Sequence, residues 1–387
     1  MTPPSSNQRP WRLLYLVSHP IQYQAPLLRL IAADAEIELT VLFEDPRSSG
    51  SSFDQGFGQE VAWDVPLTEG YAHEKATKAS LRKHLETADA LWQHGWDTSL
   101  KRWALAAARR NGVATLMRGE NMEVAMPDGA GLRGFLKRRY LDWIFARCAG
   151  FLCIGADNRR YYEARGVEAS RLYSMPYAVD NEFFRQRCDE AAENRDAFRA
   201  GLGLEPDRPV VLYAGKLQGR KNPLTLANAF KSLDVETTRR PYLIYVGDGE
   251  ERPALEAAIK RHEDDIRLLG FRNQTELPAF YDLADIFVLA SHAEPWGLAV
   301  NEAMCGGAAV IVTDECGCAT DLIDDTNGRK VTPGDANDLA RALSGLLSDA
   351  DTLASAGRAA RDRVATWDFA ADIAGLKEAL AALCPRK

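Results

Sequence analysis

The sequence holds no apolar run that approaches the length of a bilayer-crossing helix. Its first apolar segment, Trp11 to Ser18, is too short and wrongly flanked for a secretory signal. The seven cysteines, at 148, 153, 188, 305, 316, 318 and 384, form no framework of paired spacings. Cys316 and Cys318 stand close but lack the two-residue gap of a zinc or redox motif. Reduced thiols in a cytoplasmic protein are therefore expected. A basic balance is also missing: a net charge of -8 argues against nucleic acid as a partner. No Walker-type loop occurs, and the lone Gly247-Asp248-Gly249 lacks the full glycine pattern of a dinucleotide fingerprint. Nor do His, Cys, Asp and Glu cluster in the spacing of a metal site.

What is present suits a soluble globular protein: 46% hydrophobic, 26% charged, and 387 residues, enough for two domains. Residues 1–10, polar and proline-rich, read as a disordered leader. A stretch of charged, weakly apolar sequence from Arg185 to Arg208 suits an interdomain linker, placing domains at 11–188 and 189–366 before a terminal helix over 367–387.

The stretch Asp285 to Asp314 organises the second domain. It reads as a buried strand, a loop His292-Ala293-Glu294-Pro295-Trp296-Gly297, a helix from Leu298, and a second apolar strand. In an open α/β sheet, ligands sit beyond the carboxyl ends of strands, where helix N-termini aim free N–H groups. The backbone of Trp296, Gly297 and Leu298 is thus placed to hold an anion. A carboxylate there suits hydroxyls, so Glu294 and Glu302 could bracket a molecule with sugar rings at both ends of a diphosphate.

Upstream, the strand Pro209 to Ala214 enters Gly215-Lys216-Leu217-Gln218-Gly219-Arg220-Lys221-Asn222-Pro223. Asn222 suits an N-cap and Pro223 the first helical position. Lys216 and Lys221 then lie at one spot with a helix dipole, which favours a diphosphate. Gly247 closes the next strand, and Ile266 to Phe271 forms another.

These two segments resemble the donor-binding signature of retaining glycosyltransferase family 4, whose fold is GT-B. The match lies in Glu294 and Glu302 with Pro295-Trp296-Gly297 between them, Ala303-Met304 and Gly307 after, and the basic pair Lys216 and Lys221 beyond Gly215. The resemblance implies two doubly wound, Rossmann-like α/β domains facing a cleft, with the last helix crossing back to the first domain. It implies sugar transfer from a nucleotide-diphosphate sugar to an acceptor hydroxyl, with retention and without a metal or other cofactor. Lys216, Lys221 and Glu294 would be catalytic. Glu302 would hold the ribose, and Phe271 would lie near the nucleobase. A nucleotide-sugar epimerase and a non-catalytic nucleotide-sugar binder remain as rivals.

In the first half, His19, Gln22 and Gln24 follow the first strand and are candidate cleft residues, His19 and Gln22 on the acceptor side. The family often places glycines here; this chain has none. Residues 45–71 read as a long loop. Strands ending in His94-Gly95 and in Arg118-Gly119-Glu120-Asn121 stop at one sheet edge. In the slot where the family often presents a histidine, Arg118 or Glu120 stands, either to meet an acceptor with Asn121 or as an Arg–Glu brace. Residues 131–149 form a basic amphipathic helix, with Leu132, Phe135, Leu136, Trp143 and Ile144 expected inward. Such a helix can lie on the inner face of an anionic membrane, suiting a lipid-linked acceptor; a carbohydrate acceptor is equally compatible.

Overall fold

The computed structural model describes residues 9–46, 52–233 and 240–384. Fifteen strands run in chain order among these residues. In the first half they are β1 (Trp11–Val17), β2 (Ile37–Phe43), β3 (Ser52–Asp54), β4 (Gln59–Val61), β5 (Ala72–Lys75), β6 (Ala90–His94), β7 (Ala114–Arg118), β8 (Gly150–Cys153) and β9 (Leu172–Ser174). In the second they are β10 (Val210–Ala214), β11 (Tyr242–Val246), β12 (Ile266–Leu268), β13 (Ile286–Leu289), β14 (Ala309–Thr313) and β15 (Gly328–Val331).

They build two parallel sheets. The first has order β5-β2-β1-β6-β7-β8-β9 and the second β12-β11-β10-β13-β14-β15. Their central strands are near-continuous Val, Ile, Leu and aromatic runs, because helices cover both faces of a parallel sheet, whereas the edge strands β5 and β15 carry charged residues. β10, β11, β13 and β14 are buried throughout.

Strand order fixes where ligands can bind. In the second sheet the chain winds outward from β10 through β11 to β12, then returns to the other side of β10 as β13. In the first it winds from β1 to β2 and β5, then returns beside β1 as β6. The loops after β10 and β13, and those after β1 and β6, therefore diverge and leave crevices at the carboxyl edges.

Two compact units result. One comprises the described residues up to 46, with 66–177 and those from 369 onward; the other comprises 52–65 and 178–368. The final helix Phe369–Leu383 thus belongs to the first unit, as the resemblance implied. The division after Tyr177 precedes the expected 188, because helix Asn181–Ala192 packs on helices Leu277–Leu283 and Leu298–Gly306.

Several local expectations are corrected. Residues 1–8 of the expected leader lie outside the described residues, but Arg9 is placed, forking onto Asp89 at 2.7 and 2.8 Å. The long loop over 45–71 contains the antiparallel hairpin β3–β4, which packs within the second unit. Helix Gly131–Phe145 buries Leu141, Ile144 and Phe145, whereas Leu132, Phe135, Leu136 and Trp143 are exposed.

Candidate functional site

The crevice between β10 and β13 gathers charge. After β10, a short 3-10 turn Gly219–Lys221 leads into helix Pro223–Lys231. Asn222 stands at the cap position, yet in left-handed backbone (φ 52°), and its side chain donates to Ala290 O at 2.9 Å instead of capping. This ties the loop after β10 to the end of β13, as does the bond from His292 N to Arg220 O at 2.7 Å.

Glu294 sits in the facing loop, 7% exposed. Its Oε2 accepts from Arg220 Nη1 at 2.8 Å and from Lys221 Nζ. Burial pushes this carboxyl up, but Lys221 and Arg220 outweigh it and hold it below the usual carboxylate range. Glu294 is also pinned by its backbone, with Gly317 N donating to Glu294 O at 2.9 Å. The neighbouring Ala293 takes a left-handed φ of 46°, a conformation costly to a residue with a Cβ. Gly297 turns the chain into helix Leu298–Gly306 with φ 97°; a Cβ there would meet Leu289 Cδ2 at 2.6 Å.

The Trp296 ring points away from solvent, stacked on Trp367 at 5.4 Å and bonded through Nε1 to Asn301. Only its backbone is placed to meet a ligand. Glu302 is 1% exposed, and its Oε2 accepts from the Tyr281 hydroxyl. Leu298 is buried at the helix start.

Gly215 and Gly247 follow β10 and β11 side by side. A Cβ on Gly247, whose φ is 139°, would fall 1.9 Å from Gly215 O. Lys216 is held by the β3–β4 hairpin: its Nζ donates to Asp54 at 2.8 and 2.9 Å and lies 5.0 Å from the Phe57 ring centre. Phe271 meets Phe57 edge-on at 4.8 Å and approaches Trp63 at 6.3 Å. The hairpin thus touches both Lys216 and Phe271. Sequence reasoning missed Asp54 and Arg220. Arg220 had a signal, standing beside Lys221 at a strand end, whereas Asp54 had none.

The first unit carries its own polar group at the β1/β6 crevice. Tyr15 donates to Gln24 Oε1 at 2.7 Å, and both lie 3.4 Å from His94 Nδ1. His94 Nε2 is 3.9 Å from Glu120, which accepts from the Tyr177 hydroxyl at 2.7 Å. Burial and the charges of Arg118 and Lys101 push His94 down to about 3, so it is neutral at ordinary pH. His94 and Tyr177 flank Glu120, with Tyr15 and Gln24 behind His94, whereas His19 is exposed and Gln22 half-buried. Asn121 is buried and donates to the Tyr162 hydroxyl at 3.1 Å.

Arg118 does something else. It is 2% exposed, paired with Asp372 of the last helix at 3.2 Å and donating to Pro176 O. Neither an open acceptor contact nor an Arg–Glu brace describes it; its partner lies 254 positions away, beyond the reach of any local pattern.

Residues 194–363 match the model of the family described as Glycosyl transferases group 1. The D-inositol 3-phosphate glycosyltransferase of Xylanimonas cellulosilytica is 31% identical over 217 residues, covering 53% of this chain and 50% of that protein. The chain spans about half the length of the curated relatives it matches. Among solved structures, HepE of Anabaena in complex with UDP superposes with TM-score 0.74 at 16% identity, over 96% of this chain and all of the other. Sucrose-phosphate synthase of Thermosynechococcus elongatus gives 0.69 at 21% identity, over 96% of this chain and 99% of the other. The fold is that of GT-B glycosyltransferases.

Proposed function

We propose that this chain transfers a sugar from a nucleotide-diphosphate sugar to an acceptor hydroxyl, with retention at the anomeric carbon and without a bound metal. The observation that carries the reading is the pairing of Arg220 and Lys221 with buried Glu294 at the β10/β13 crevice, with Lys216 in the same loop after β10. The match of residues 194–363 supports it, as does the likeness to a structure solved with UDP.

In this reading the bond between the anomeric carbon and the β-phosphate oxygen breaks, and negative charge grows on the departing diphosphate. Lys216, Arg220 and Lys221 stabilise that charge, the largest contribution to rate. Amides at the start of helix Leu298–Gly306 add to it. Glu294, ionised, accepts hydroxyls of the sugar and steadies positive charge at the anomeric carbon. Glu302 accepts the ribose hydroxyls. The acceptor hydroxyl forms the new bond on the face the diphosphate leaves, and its proton passes to the leaving phosphate oxygen. In this reading Glu120 and His94 bind the acceptor's hydroxyls.

Thermal melting with UDP, GDP and ADP tests the donor site, with UDP first because HepE was solved with it. A nucleotide at a hundred times its Kd stabilises by about 2.7 kcal/mol. Lys221→Ala is expected to lose most of that shift relative to its own ligand-free form. Release of nucleoside diphosphate only when an acceptor is supplied separates a transferase from an epimerase or a binder. No shift with any nucleotide sinks the reading.

A further inference from the structure

Helix Gly131–Phe145 is apolar on two opposite faces. One face buries Leu141, Ile144 and Phe145 in a cluster with Trp96, Phe151 and Tyr162. At 3.6 residues per turn, Leu132, Leu136 and Trp143 line up on the opposite side, with Phe135 and Tyr140 flanking them. Leu132 is 74% exposed, Leu136 57% and Phe135 52%. Tyr140 and Trp143, stacked with ring centres 6.4 Å apart, are over a third exposed.

Cations border this stripe. Arg133 and Arg139 are exposed beside it, and Arg147 lies 3.8 Å over the Trp143 ring. Acidic balance is slight: Asp142 stands 3.9 Å from Arg139, while Glu123 and Asp128 are engaged by Arg165. Holding five large apolar side chains in water gives the fold nothing, so such a patch marks a partner surface.

We propose that this face docks on an anionic lipid bilayer. Leu132, Phe135 and Leu136 enter the acyl boundary, Tyr140 and Trp143 sit at headgroup level, and the arginines meet lipid phosphates. Charge argues against a second copy of the chain: a two-fold contact through this helix sets the same arginines against each other. The inference stands apart from the transferase reading, since it uses none of the donor-site residues.

Co-sedimentation of the full chain with vesicles tests it, using phosphatidylcholine alone or mixed with phosphatidylglycerol. Binding is expected on the mixed vesicles at low ionic strength, weakening as salt rises and nearly absent on phosphatidylcholine. Leu136→Asp is expected to lower partitioning about tenfold or more. Arg139→Gln should lower it about fivefold, the loss of one charge at an anionic surface. Both positions are exposed, so both variants are expected to keep the wild-type melting temperature. Wild type that stays in solution with both vesicle types overturns the proposal, as does equal binding by Leu136→Asp. Concentration-dependent self-association that Leu136→Asp abolishes also overturns it, assigning the face to a second copy.

Discussion

His94 illustrates how a single side chain's environment sets its chemistry. Its folded pKa is pushed from 6.5 to about 3, so the unfolded state takes up a proton that the folded state refuses. Its contribution to stability is complete above pH 6.5 and is lost as pH falls towards 3. The slope is at most about 1.4 kcal/mol per pH unit. Chemical denaturation across that range, compared with His94→Gln, is expected to show a flatter profile for the variant. Gly247 is constrained by space instead. Gly247→Ala sets a Cβ against the Gly215 carbonyl, and because backbone must move to relieve it, a loss of at least about 2 kcal/mol is expected. Denaturant midpoints read it directly.

At the scale of elements, the hairpin β3–β4 is the least conventional piece. Its Asp54 pairs with Lys216, which in the proposed reading meets a phosphate oxygen of the donor. Burial raises the Asp54 carboxyl, but Lys216 and the amides of Phe57 and Gly56 outweigh it, so the group stays ionised and, in that reading, competes with the donor. Partly exposed pairs of this kind are worth up to about 1 kcal/mol. Asp54→Ala is therefore expected to tighten nucleotide binding by up to about fivefold, measured by calorimetry. Weaker binding instead would make the hairpin a wall of the site, with Phe57 and Trp63 as contacts for the base. The loop after β13 behaves differently. Ala293 and Gly297 both hold positive φ, and Glu294 between them is fixed by backbone bonds to Glu315 and Gly317. Its carboxylate is positioned before any ligand arrives.

Across the whole molecule, the most deeply buried long-range ion pair is Arg118–Asp372, which joins β7 to the last helix inside the first unit. Both side chains are nearly sealed from water. Removing one partner strands a buried charge, so Arg118→Met and Asp372→Leu are each expected to cost about 3–5 kcal/mol. The double variant should recover most of the loss, because an apolar pair of similar volume carries no desolvation penalty. Equilibrium unfolding of the three variants checks this. Additive single losses would show instead that the pair stabilises beyond its own burial cost.

Local pattern sufficed wherever the physics is local. The buried strands follow from continuous apolar runs, and the crevice at β10 and β13 from a strand, a glycine turn and a helix start in each. Glu294, Glu302, Lys216 and Lys221 are legible because their spacing on those turns is short-range. Tertiary structure decided the rest. Asp54 on Lys216, Asp372 on Arg118 and the group around His94 join residues from separate strands and helices, and no periodicity encodes such pairs. Helix Gly131–Phe145 is the clearest case. Its composition announces apolar and basic residues, but with two apolar faces available, only packing against β8 and its neighbours determines which one is buried.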